Sequence, residues 1–138
     1  MATVTVERRI AAPPNDVFDA WTDPALAGQW LFRTEGGQLE RCAIDPRVGG
    51  GFRIDERRGN EVAEHYGEYV ALERPGWVVF DFWTNATDER TRVTVELASD
   101  GGGTLLTLTH EGVSADFEER TRQGWTMLVE KLASAFAP

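Results

Sequence analysis

His110 is the residue whose type and place in the chain best suit proton transfer. It ends a run in which Leu106, Leu108 and His110 alternate with Leu105, Thr107 and Thr109. In a strand, that alternation puts the imidazole on the same face as two leucines. There it serves either as a general acid or base, as a donor to a ligand carbonyl, or as a core histidine bonded to protein. His65 is the other histidine; a strand places it on the face opposite Glu64 and Glu68. With Cys42 the only cysteine beside these two, a structural zinc site of ordinary composition is not expected, and no cofactor is implied. Asp45-Pro46-Arg47-Val48-Gly49-Gly50-Gly51 sets an arginine beside a glycine cluster, either an anion cradle or a plain turn. It lacks the lysine and the following helix of a phosphate loop, which favours the turn. No set of nucleophile, base and orienting residue is evident.

The stronger signal is aromatic, and it needs elements to gather it. Ser114 to Phe136 carries Phe117, Trp125, Leu128, Leu132 and Phe136 on one side of a 3.6-residue period, with Thr121 and Gly124 beside them. Glu119, Arg122, Gln123, Thr126, Glu130 and Ser134 fall on the other side, and Ser114 is an N-cap candidate. The spacing predicts one long amphipathic helix. Gly124 lies in its interior at a cost of about 1 kcal/mol relative to alanine. Either close contact with a sheet or space for a ligand must offset that cost.

Upstream, Val4 to Ile10 alternates as a strand. Pro13-Pro14 and Asp23-Pro24 then each open a short helix, with Val17, Phe18 and Trp21 in the first and Leu26 and Trp30 in the second. Leu31 to Gln38 reads as a loop. Strands follow at Glu40 to Asp45, Phe52 to Glu56, Val62 to Glu73, Trp77 to Thr84, Arg90 to Ala98 and Thr104 to Glu111, with a bulge expected at Gly67. Val78, Phe80 and Phe82 share one face of their strand, and Val93, Val95 and Leu97 share one face of the next. The expected architecture is α+β in one domain, residues 1–138: strand, two short helices, six antiparallel strands and a long helix laid on the buried face of a curved sheet.

Fourteen Lys+Arg against 23 Asp+Glu leave a net charge of −9. That opposes the counterion release on which nucleic-acid binders depend and discourages docking to anionic membranes. No apolar run has signal-peptide or membrane-span length, and an unpaired cysteine suits a reducing cytoplasm, so a cytoplasmic location is expected.

Three stretches resemble a known family. They are Val6-Glu7-Arg8-Arg9-Ile10-Ala11-Ala12-Pro13 continuing through Val17-Phe18-Asp19-Ala20-Trp21-Thr22-Asp23-Pro24 to Trp30, the turn Asp45 to Phe52, and Thr107-Leu108-Thr109-His110 with Gly124-Trp125, Leu128 and Leu132. Together they are similar to the domain related to the activator of the ninety-kilodalton heat-shock protein's ATPase, in the START-like, birch-pollen-allergen-like (SRPBCC) helix-grip superfamily. Leu31 stands where members often carry a second aromatic. The resemblance implies a helix-grip fold, in a superfamily that includes lipid carriers, hormone receptors, aromatase/cyclases and co-chaperone domains.

The leading expectation is binding of a small apolar or aromatic molecule between the long helix and the sheet. Trp30, Phe32, Phe80, Phe82, Leu108, His110, Trp125 and Leu128 are the expected lining. Two alternatives remain. One is a cyclase- or dehydratase-like enzyme using His110 as acid or base. The other is an interaction module with a chaperone or homodimer contact, marked by an apolar patch near Trp77 or Trp83 on the outer sheet face.

Overall fold

The computed structural model describes residues 1–136, the side chain of Asp88 excepted. Strand β1 (Ala2–Ile10) leads into helices α1 (Pro14–Thr22) and α2 (Pro24–Ala27). Strands β2 (Gln38–Ile44), β3 (Gly51–Arg58), β4 (Glu61–Glu73), β5 (Trp77–Thr84), β6 (Thr87–Asp100) and β7 (Gly103–Val113) follow. A single 3-10 turn, Ala115–Phe117, precedes the long helix α3 (Glu118–Ala135). This is the α+β helix-grip arrangement that the sequence predicts.

The seven strands form one antiparallel sheet in the order β1-β7-β6-β5-β4-β3-β2. From β2 to β7 each connection is a hairpin, but β1 and β2 stand at opposite edges. The chain between them must therefore cross the sheet, and α1 does so packed against β5, β6 and β7. Pro14 sits at the start of α1, and the Asp23 side chain accepts from the Ala25 amide at 2.9 Å to cap α2. Helix α3 then lies along β1.

The core is the inner face of the sheet: Val4, Ile54, Val78, Phe80, Val93, Val95, Leu106 and Leu108 are all essentially inaccessible. Helices add Val17, Trp21, Trp125, Val129 and Leu132. Trp21 joins the layers, edge-on to Trp30 at 4.7 Å between ring centres and 6.2 Å from Trp125.

Three local expectations change. Ser114 makes no side-chain cap, because the 3-10 turn displaces the helix start to Glu118. That shift swings Phe117 out, leaving it 51 % exposed. Gly67 pairs regularly, and the β4 irregularity lies between Tyr69 and Ala71. Gly67 is glycine because a Cβ there would stand 2.0 Å from the Phe52 ring, which lies over it.

Candidate functional site

The first half of α3 and the ends of β4, β5 and β7 border an open cleft. The inner part, about 240 Å³, is lined by Phe32, His65, Phe82, Thr84, His110, Thr121, Gly124, Trp125 and Leu128. Phe82, Thr84, His110 and Thr121 also line a wider outer groove of about 460 Å³ that reaches Glu89, Phe117 and Arg120. None of the inner residues is acidic or basic apart from its two histidines.

Of the predicted lining, Phe32, Phe82, His110, Trp125 and Leu128 meet at the inner cleft. Trp30, Phe80 and Leu108 lie elsewhere. Trp30 faces a depression on the far side of α3 beside Leu132 and Phe136, with Nε1 donating to the Ala20 carbonyl at 3.0 Å. Phe80 and Leu108 sit deeper in the sheet, where neighbouring side chains cover them; Phe80 is closed over by Phe52, Tyr69 and Phe82. The alternation that assigned them inward was right about the face, but a face is longer than a cleft.

Gly124 has no heavy atom within 4 Å of the point where a Cβ would stand. At the buried Gly67, by contrast, the same point is occupied by the Phe52 ring. In the middle of α3, the missing side chain is exchanged for open space.

Both nitrogens of His110 are committed to protein. Trp125 Nε1, which can only donate, gives its hydrogen to His110 Nδ1 at 3.0 Å. The ring's own proton therefore sits on Nε2 and is donated to Thr91 Oγ1 at 2.7 Å. Thr91 in turn donates to the Phe82 carbonyl at 3.2 Å. Burial pushes the His110 pKa down to about 4. A second proton would also set two donors against each other at Trp125. This histidine is held neutral, in one tautomer, by its neighbours.

His65 has the opposite tautomer. Its Nδ1 faces the Ile54 carbonyl at 3.0 Å, so Nδ1 carries the hydrogen and Nε2 is a bare acceptor. The ring stacks on Phe32 at 4.3 Å with an interplanar angle of 4°. Burial, opposed by the Ile54 bond, brings its pKa to about 4 as well.

Phe32 occupies the centre of this group, 5.2 Å from Phe82 and 5.6 Å from Trp125. Its backbone is left-handed, φ 58°, a conformation that costs a non-glycine residue of order 1 kcal/mol or more. The two residues that follow it are anchored by Glu56, whose side chain has no exposed surface. Its carboxylate accepts from the Thr34 amide at 2.8 Å, Thr34 Oγ1 at 2.6 Å, Arg33 Nε at 3.1 Å and Arg58 Nε at 2.8 Å. Burial alone would raise the Glu56 pKa, but the bonds from Thr34, Arg58 and Arg33 outweigh it and hold the value at about 2. No motif or spacing in the sequence marks Glu56 as a site residue. Its signal is register: Phe52, Ile54 and Glu56 alternate inward on β3, so a charge falls on the buried face.

The glycine turn resolves as structure. Gly49 donates to the Tyr69 carbonyl at 3.1 Å and Gly50 to the Arg47 carbonyl at 2.9 Å, while Arg47 pairs with Asp45 at 2.8 Å. Those groups are spent on the turn and its neighbour strand. On the outer sheet face Trp83 stacks on Tyr66, and Arg90 covers its ring at 3.9 Å. Trp77 is 39 % exposed. Among the described residues no group of three or more His, Cys, Asp or Glu is placed to hold a metal, and no helix is long and apolar enough to cross a membrane.

Protein CV1439 from Chromobacterium violaceum superposes with a TM-score of 0.88 at 25% identity, over 100% of this chain and 99% of that one. CalU16 from Micromonospora echinospora gives 0.75 at 25% identity, over 99% and 76%. An AHSA1-like protein from Aeromonas hydrophila gives 0.84 at 21% identity, over 96% and 90%, a likeness of fold alone. No curated protein matches the sequence. Residues 11–137 match the family model described as "Activator of Hsp90 ATPase homolog 1-like protein", and on that extent the chain belongs to this family.

Proposed function

We propose that the protein binds a small, neutral, apolar or aromatic molecule in the cleft between α3 and the sheet. The observation that carries this reading is the open space at Gly124, within a lining of aromatic rings and two neutral histidines. Pockets for small molecules are mostly apolar, with a few convergent polar groups. At about 240 Å³ the inner cleft has room for an aromatic ring system, with substituents running into the outer groove. The absence of a formal charge in the inner lining disfavours an ionised group there, since burying an unpaired charge is costly.

Proton transfer by His110 has less support, because Trp125 and Thr91 already use both of its nitrogens. A contact through the outer sheet face is likewise disfavoured where Arg90 covers Trp83. The unpaired Cys42 fits action in a reducing cytoplasm.

The test is a titration with N-phenyl-1-naphthylamine, a neutral fluorescent aromatic. Saturable binding should perturb Trp125 emission and raise Tm as the probe concentration passes Kd. Absence of both responses up to the probe's solubility limit overturns the reading.

A further inference from the structure

We infer that His65 is the polar recognition point of the cleft and selects ligands that present a hydrogen-bond donor, such as a phenolic or enolic hydroxyl, to its Nε2. The inference rests on the cleft being the ligand site proposed above, and it adds what that site requires of its occupant.

His65 is buried, at 7 % exposure, and is part of the inner lining. Its bond to the Ile54 carbonyl uses Nδ1 and fixes the tautomer, because a carbonyl accepts and cannot donate. That leaves a lone pair on Nε2, at the end of the ring away from its attachment to the strand. Among the described residues Nε2 has no protein partner. Trp21 Nε1 is, among the described residues, the one buried side-chain polar atom both sealed from solvent and unpaired. Nε2 is therefore unpaired without being sealed, and the opening beside it is the cleft. The stacked Phe32 ring fixes the imidazole plane, so the acceptor direction is set before a ligand arrives.

His110 has no such role, for its lone pair is taken by Trp125. The two histidines thus divide the work: one is consumed in holding α3 to β7, and the other keeps an acceptor free. A ligand that buries Nε2 without donating to it leaves a desolvated lone pair, the more costly failure of a hydrogen bond. An ether or a hydrocarbon of the same shape should therefore bind worse than the hydroxyl compound, by about tenfold.

The probes are 1-naphthol and 1-methoxynaphthalene, titrated against the wild type and His65→Asn. Asparagine keeps a donor for the Ile54 carbonyl and removes the acceptor at the Nε2 position. The wild type should prefer naphthol about tenfold, and the variant should bind the two alike through a loss for naphthol alone. In the wild type, the His65 Nε2 ¹⁵N resonance should move upfield on saturation with naphthol but not with the ether, while Nδ1 stays protonated. This measurement needs no variant, so it decides the matter even if His65→Asn folds poorly. Equal wild-type affinities, or an unmoved Nε2 resonance at saturation, overturn the inference and leave ligand binding intact. Failure of both probes to bind overturns the cleft as a ligand site, and the inference with it.

Discussion

The substitution that most directly separates a ligand cleft from a packed core is Gly124→Leu, read beside Gly124→Ala. Either change removes a mid-helix glycine from α3, a gain of about 0.8–1 kcal/mol. The Cβ itself meets no atom within 4 Å, so alanine should realise that gain in full, with probe binding retained. Leucine adds three further carbons that point into a space of about 240 Å³. That volume accepts them without displacing Phe82 or Trp125. Partial burial of the side chain should return about 1 kcal/mol, of which lost rotamer freedom takes back 0.5–1, roughly. Leucine should therefore be about as stable as alanine, with Tm up by roughly 4 °C for a chain of this length. What changes is occupancy, since the isobutyl group fills the volume a ring would take. Urea denaturation and N-phenyl-1-naphthylamine fluorescence on the three proteins give both readings. A leucine variant 1–3 kcal/mol less stable, roughly the cost of overpacking, would mean that the helix and sheet close on each other in solution. Unchanged probe affinity in a stable leucine variant would move the binding site elsewhere.

Trp125→Ala should cost about 3–5 kcal/mol in urea denaturation, because it removes a buried ring and leaves His110 Nδ1 without its donor; Thr126→Ala, on the exposed side, should cost less than about 0.5. Stability should fall as pH drops from about 6.5 towards 4. Over that range unfolded histidines take up protons that His65 and His110, both at about 4 when folded, refuse. The loss should reach up to roughly 3 kcal/mol for each, and a flat profile from pH 7 to 5 would contradict the neutral tautomers. Glu56 acts lower: its folded value of about 2 lies below its ordinary 4.5, so its contribution is intact above 4.5 and disappears as pH falls towards 2. Glu56→Gln at pH 7 should cost about 3 kcal/mol or more by leaving Arg33 and Arg58 beside a neutral group, and wild-type stability in that variant would show the clamp to be dispensable. Duplex DNA at moderate salt should not bind a chain of net charge −9, and micromolar affinity with a steep salt dependence would reverse that reading.

What the sequence revealed and what it concealed divide along one physical line. Periodicity reports which side of an element faces inward, and it did so for β5, β6, β7 and α3, where Val78, Val93, Val95, Leu106, Leu128 and Leu132 are all buried. Antiparallel hairpins follow chain order, so most of the sheet could be drawn from turns alone. Depth along an inward face is not periodic. Phe80 and Phe82 are two residues apart on one face, yet Phe80 is sealed in the core and Phe82 borders the cleft. Phe80 is covered by Phe52 and Tyr69 from β3 and β4, whereas Phe82 looks out beside His110 and Trp125. Those covering rings come from other strands, so the depth of a residue is set non-locally. Tautomers are equally non-local: what distinguishes His65 from His110 is an Ile54 carbonyl on one neighbouring strand and a Trp125 indole on the helix. Gly124 was the exception, a single residue whose energetic cost could be weighed in the sequence itself. A glycine inside an amphipathic helix asks for a compensating reason, and the empty volume beside it supplies one. The residues that hold a cleft open can therefore leave a local trace, as Gly124 does, while those that decide its chemistry, as His65 does, are defined only by their partners.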